Sequence, residues 1–174
     1  MENDTDRLGI HAAGKHYVMQ LLRKYNAAPA PKGASNVEIV VSDGTRRRYI
    51  QVKARRVTAA HGWKMDAKHE KIRNEQLFYC FVALEIAQGA RPIVHSAHIL
   101  PSEVVADVLT ESHHKWLTML GRDGLPHKDS TWRWLYPDYK RVFDTDKRYT
   151  EGWLDKYDAR DDANNAGRLL DLEP

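Results

Sequence analysis

The order of periodic segments predicts an α/β fold, a short mixed sheet flanked by helices. Three observations predict it. Tyr17, Val18, Leu21, Leu22 and Tyr25 recur at helical spacing. Two β-branched runs, Val37–Val41 and Tyr49–Lys53, flank Asp43-Gly44, a dipeptide that favours hairpin turns. Leu77–Leu84 is an unbroken apolar run of strand length, as expected of a strand buried on both faces. Helices and strands in this order pack as layers around one sheet.

The elements follow in turn. The first helix spans about Leu8–Tyr25, and Asn26–Gly33, with two prolines and a glycine, is a loop. The hairpin comes next, then a helix over Lys68–Gln76 that feeds the buried strand. Ile93–Leu100 is another strand. Pro101-Ser102 opens a helix with Ser102 as N-cap and Val104, Val105, Val108 and Leu109 as its stripe. A further short helix covers His113–Leu120 and stops at Gly121. Beyond it Trp132, Trp134, Tyr136, Tyr139 and Trp153 supply packing surface in an irregular, turn-rich extension. Residues 1–125 read as the domain proper and 126–174 as a C-terminal extension ending in an acidic arm.

A chain of 174 residues with 42 % hydrophobic content can build a core without metal or disulfide staples. No apolar run approaches the roughly 18–20 residues of a membrane span, so no membrane partner is expected. The polar, acidic start, Met1–Asp6, leads to the expectation of no secretory signal. Cys80 is the single cysteine; no intrachain disulfide can form, which fits a cytoplasmic location. Its neighbours Phe78, Tyr79, Phe81 and Val82 make it a core thiol. The net charge of +3 is unevenly spread: residues 1–60 carry +6, residues 61–150 carry +1 and residues 151–174 carry −4. The first third is therefore a candidate face for a polyanion. The acidic arm, with Asp155, Asp158, Asp161 and Asp162, has three placements: a mobile tail, a cover over the basic face, or a dock on a second subunit of a homodimer through Trp153 and Leu169-Leu170.

Parity decides which hairpin side chains meet. With Asp43-Gly44 as a two-residue turn, Ser42 faces Thr45 and Glu38 faces Tyr49. Glu38, Val40, Tyr49, Gln51 and Lys53 then share one face, and Val37, Ile39, Val41, Ile50 and Val52 the other. A four-residue loop keeps the same parity. The second face is apolar throughout and should be core. The first gathers a carboxylate, an amide and an amine, with diagonal neighbours roughly 7–8 Å apart, so Glu38 and Gln51 can converge on one ion or water. The plainer reading is an ion pair of Glu38 with Lys53 at the sheet edge. On the first helix His11, Lys15, Val18 and Leu22 share a face, which points Lys15 along the buried stripe.

These residues resemble the PD-(D/E)XK phosphodiesterase superfamily, the restriction-endonuclease-like fold. The helix motif reads Gly14-Lys15-His16-Tyr17-Val18, the first strand Asn36-Val37-Glu38-Ile39, and the second Ile50-Gln51-Val52-Lys53 followed by Ala54-Arg55-Arg56. The resemblance covers roughly the first two thirds of the chain. It implies a nuclease that hydrolyses DNA phosphodiester bonds with Mg²⁺ or Mn²⁺. Glu38, Gln51 and the Val52 carbonyl would hold the metal, and Glu38, Gln51 and Lys53 would be catalytic. The sequence departs from the family pattern at three positions: Glu38 for Asp, neutral Gln51 for an acid, and Lys15 for the helix acid. Glu38, Lys53 and Lys15 together carry a formal charge of +1. That sum suits a phosphate better than a bare hard cation and supports the alternative, an inactive module of the same fold that binds nucleic acid or a protein partner.

Lys15, Arg55, Arg56, Lys64 and Lys68 are the candidate nucleic-acid contacts, with DNA preferred to RNA, and Trp63 is a candidate base-stacking ring or else an aromatic anchor. Glu70 is a candidate replacement acid. Arg46-Arg47-Arg48, at the hairpin tip, either touches a duplex backbone or is a solvated turn. His95 and His98 point to opposite faces of a strand and make a poor chelate, and adjacent His113-His114 suit one ion badly.

Overall fold

The computed structural model describes residues 4–59, 62–86, 91–140, 142–143, 147–160 and 162–172, with side chains from Gly9 onward. It is an α/β arrangement on a five-stranded mixed sheet. Strands β1 (Ala28–Pro29), β2 (Ile39–Ser42), β3 (Arg47–Arg56), β5 (Leu77–Glu85) and β6 (Ile93–Pro101) lie side by side in that order. β3 and β5 are parallel; the other neighbours are antiparallel. A separate two-stranded ribbon pairs β4 (Trp63–Asp66) with β7 (Trp132–Leu135). The helices are α1 (Asp4–Leu21), α2 (Ser102–Thr118) and α3 (Ala163–Leu169). Among the described residues no helix is long and apolar enough to cross a membrane.

The sheet separates two cores. One face carries Ile39, Val41, Ile50, Val52, Cys80 and Val82 and is covered by α1 through Ile10, Val18, Leu21 and Leu22. The opposite face carries Tyr79, Phe81 and Ala83 and is covered by Trp63, Met65, α2 and the aromatic residues that follow β7. Eight of the nine residues of β5 are buried, as expected of a strand covered on both faces. The chain beyond residue 126 enters both cores: Leu135, Tyr139 and Trp153 on one face, Ala159, Ala166 and Leu170 on the other. Burial pushes the Cys80 thiol up to about 12, so it is inert at neutral pH.

α1 lies close enough to the sheet to require glycine where it crosses. A Cβ built on Gly14 would stand 2.6 Å from the Ala54 Cβ, with Val52 and Leu84 next nearest. This contact fixes the height of α1 over β3.

Several expectations are corrected. The hairpin loop has four residues, and Ser42 pairs with Arg47 rather than Thr45. Asp43 closes it: its Oδ1 accepts from the backbone N–H of Thr45 at 2.8 Å and of Arg46 at 2.7 Å. Parity survives over Ile39–Ser42 but not before it: the Glu38 N–H bonds the Ile50 carbonyl at 2.9 Å although Ile39 is the partner of Ile50, so Glu38 and Ile39 together stand opposite one residue of β3, a β-bulge. Val37 packs into the core opposite to Ile39, because the extra residue at Glu38 shifts the alternation by one. The expected helix over 68–76 is a single 3-10 turn, Ala67–Glu70. Its continuation is prevented by Asn74, whose N–H and C=O both bond the Ser102 hydroxyl, at 2.8 and 2.9 Å. Ser102 is thereby taken from its expected capping role, and Pro101 stands at the cap. The two expected helices over 102–120 are one, since Ser112 continues the buried stripe of Val105, Val108 and Leu109. The acidic arm covers the basic hairpin tip: Asp171 pairs with Arg48 at 2.8 Å and Arg46 at 3.3 Å. Asp161 lies outside the described residues.

The close crossing predicts the effect of one methyl group. Gly14→Ala is expected to destabilise the protein by about 1–3 kcal/mol by overpacking, although alanine is the better helix former. Ala54→Gly in the same chain should restore most of the loss in urea unfolding. Unchanged stability of the single variant would contradict this packing.

Candidate functional site at the fork of two strands

β2 and β3 part where the paired segment of β2 begins, at Ile39 opposite Ile50. The N–H of Tyr49 bonds the Gln76 carbonyl at 2.8 Å, so odd-numbered residues of β3 turn their backbone groups toward β5 and even-numbered ones toward β2. Val52 therefore faces an edge with no paired β2 residue to meet it. Glu38 fills the gap: its Oε2 accepts from the Val52 N–H at 2.8 Å. Its Oε1 pairs with His11 Nε2 of α1 at 2.6 Å. The Val52 carbonyl shares this open edge with its N–H.

Opposing forces set the state of Glu38. Burial pushes its carboxyl up, but the His11 hydrogen bond and charge, the Val52 N–H and the Lys15 charge outweigh burial and hold it below 4.5. It is ionised at neutral pH. Gln51 lies on the sheet face of Tyr79, with which it pairs across β3 and β5. Its Oε1 is buried and has no hydrogen-bond partner among the described residues. Such an acceptor costs about 1–3 kcal/mol unless a water, a cation or a substrate donor satisfies it. Lys53 lies two residues along on the same face, half-buried. Burial pushes its amine down, Glu38 and Asp66 support its charge, and Lys68 opposes it.

A neutral pair backs the site. Tyr79 OH and His69 Nδ1 lie 2.7 Å apart. His69 is only 1 % exposed, and burial with the nearby Lys53 and Lys68 charges pushes its imidazole down to about 4. Burial pushes the Tyr79 hydroxyl up, so it too stays neutral.

The structure brings Glu38, Gln51, Val52, Lys53 and Lys15 to this fork and sorts the other candidates. Arg55 lays its guanidinium 4.6 Å from the Trp63 ring centre and donates to the Ala59 carbonyl at 3.1 Å. Arg56 is half-buried, on the α1 face by alternation. Lys64 and Lys68 are exposed. Trp63 is corrected: it is 1 % exposed, its Nε1 donates to the Val82 carbonyl at 2.9 Å, and no base can stack on it. Glu70 is corrected as well, being held by the Arg133 guanidinium through both oxygens. His11 is the residue that sequence reasoning left without a role. Its spacing of four from Lys15 put it on the right helix face, but nothing local named Glu38 as its partner.

The donors at the fork are a carboxylate, an amide oxygen and a backbone carbonyl. Their chemistry is that of a site for a hard divalent cation, and the unpartnered Gln51 oxygen fits one. Among the described residues no group of three or more His, Cys, Asp or Glu side chains could hold a metal, and a cation at the fork would have to draw further negative charge from elsewhere. Comparison with family models, with curated proteins and with solved structures gives no match to this chain.

The buried neutral His69 predicts a pH dependence of stability. An unfolded histidine binds its proton near 6.5, the folded one only near 4, so the unfolded state gains protons as pH falls. The contribution is complete above 6.5 and is lost on acidification; unfolding free energy should drop by about 2 kcal/mol between pH 6.5 and 4.5 on this account. His69→Gln should flatten that slope in urea titrations. An equal slope in the variant would contradict the assignment.

Proposed function

We propose that the chain is a divalent-metal-dependent nuclease of the PD-(D/E)XK type, acting on DNA phosphodiester bonds at the fork of β2 and β3. The observation that carries this reading is the buried Gln51 oxygen, without a hydrogen-bond partner among the described residues, two residues before a half-buried Lys53 that feels the charge of an ionised Glu38. A restriction-endonuclease-like core is part of the proposal. It is supported by the order helix, hairpin, parallel strand, by Lys15 on α1 and Gln51, Val52 and Lys53 on β3, and by Glu38 immediately before β2.

Glu38, Gln51 Oε1 and the Val52 carbonyl would hold Mg²⁺ or Mn²⁺, which when bound supplies Lewis-acid activation of the phosphate and of the attacking water. The protein's own groups do the rest. His11 fixes one Glu38 oxygen and the Val52 N–H the other, leaving a second lone pair on each for ligation. Lys53 donates hydrogen bonds to the attacking water or to the charge that builds on phosphate oxygen. Lys15, Arg55, Arg56 and Lys68 add positive charge for the flanking backbone.

A specific observation favours a second reading. Lys15 brings positive charge where the family pattern has an acid, and the +1 sum makes a phosphate clamp that binds without cleaving.

One assay separates the two. On supercoiled plasmid and single-stranded DNA, cleavage should require Mg²⁺ or Mn²⁺ and stop in EDTA. Lys53→Ala should lower the rate by at least about 100-fold with the circular dichroism unchanged. Cleavage by Lys53→Ala at the parent rate would overturn the catalytic assignment. Activity in Lys15→Glu/Gln51→Glu with none in the parent would establish the clamp.

A further inference from the structure

A second feature lies at the far end of the β4–β7 ribbon. A cleft of about 880 Å³ opens between the C-terminal half of α2 and the chain following β7. That volume is within the roughly 300–1,000 Å³ of pockets that take small organic ligands. Its walls are aromatic. His127 stacks on Trp116 with ring centres 4.2 Å apart and planes 7° apart, and His113 stacks on Trp116 at 5.5 Å. Trp132 and Trp134 line it as well.

Two amines stand at the rim beside one carboxylate. Lys140 and Asp138 line the cleft, and Lys64 holds its amine 3.5 Å from the Trp132 ring centre. Trp132 is 49 % exposed, unlike the buried Trp63 on the partner strand. Flat rings interleaved with amines on one surface match the two surfaces of a nucleotide, base and phosphate.

The ribbon relates the cleft to the fork. Trp132 of the cleft pairs with Asp66, and Asp66 and Lys68 are, after Glu38, the charges felt by Lys53.

We propose that this cleft binds unpaired nucleotides of a single-stranded nucleic acid whose backbone continues along Lys64 and Lys68 to the fork. Bases stack between the Trp116–His127 pair and Trp132, and Lys64 and Lys140 meet phosphates. The proposal rests on the nucleic-acid reading of the fork and extends it to a preference for substrates with a single-stranded segment.

The test is fluorescence anisotropy with labelled oligothymidylate and with a blunt duplex, at low salt in EDTA so that no cleavage occurs. Trp132→Ala should weaken single-strand binding at least about fivefold. It should leave duplex binding within about twofold. The exposed ring can be removed without emptying a core, and circular dichroism confirms the fold. Unchanged single-strand affinity in Trp132→Ala overturns the proposal, as does absence of any single-strand binding by the parent. A dimer that Trp132→Ala dissociates would assign the cleft to a second copy and overturn it too. Lys53→Ala is measured in parallel. Trp132-dependent binding without cleavage in a separate Mg²⁺ assay would retain the cleft and remove the nuclease reading; cleavage without Trp132-dependent binding would do the reverse.

Discussion

A backbone N–H at the point where a strand loses its neighbour has to find an acceptor, and in this protein it finds a side chain. Val52 turns toward β2 beyond the last paired residue, and the Glu38 carboxylate takes its N–H. That choice has three consequences. The carboxylate is fixed at the strand edge, where it stays ionised against the cost of burial. His11 is drawn to its other oxygen, which ties α1 to the edge of the sheet. The edge itself stays open, with the Val52 carbonyl on it and the Gln51 amide and Lys53 amine on the adjoining face. An ordinary continuation of β2 would have closed the ladder and removed the site.

The rest of the molecule makes this opening rigid. Gly14 lets α1 approach β3 closely on one face. On the other, the ribbon of β4 and β7 seats Trp63 under Arg55 and brings Asp66 and Lys68 beside Lys53. The buried Tyr79–His69 pair supports Gln51 from behind without adding charge. Residues beyond 126 seal both cores, and Asp171 neutralises part of the hairpin tip, so Arg46 and Arg48 there are engaged within the chain. The positive charge near the fork comes from Lys15, Lys53 and Lys68.

Much of this was legible because side-chain parity is robust. Ile39, Val41, Ile50 and Val52 fall on one face whether the loop has two residues or four, so the core face of the hairpin was readable without its turn. The turn was not, because the Asp43 side chain closed it through local hydrogen bonds that composition does not rank. Trp63 was misplaced for a related reason. Trp63-Lys64-Met65-Asp66 alternates apolar and polar, and its burial follows that period, yet four residues are too few to mark a strand by themselves. Its partner strand lies far along the chain, as does Arg133, the partner of Glu70. Pairings over such separations leave no local signal. The same holds for His11 and Glu38, each visible in its own element and joined only by the fold.

The central claim is that the fork is a divalent-cation site completed by Gln51. Anomalous diffraction from crystals grown with Mn²⁺ and a non-cleavable phosphodiester tests it most directly. A manganese peak in contact with the Glu38 carboxylate, Gln51 Oε1 and the Val52 carbonyl is the predicted result. Phosphate seated between Lys15 and Lys53, with no manganese at Glu38, would contradict it.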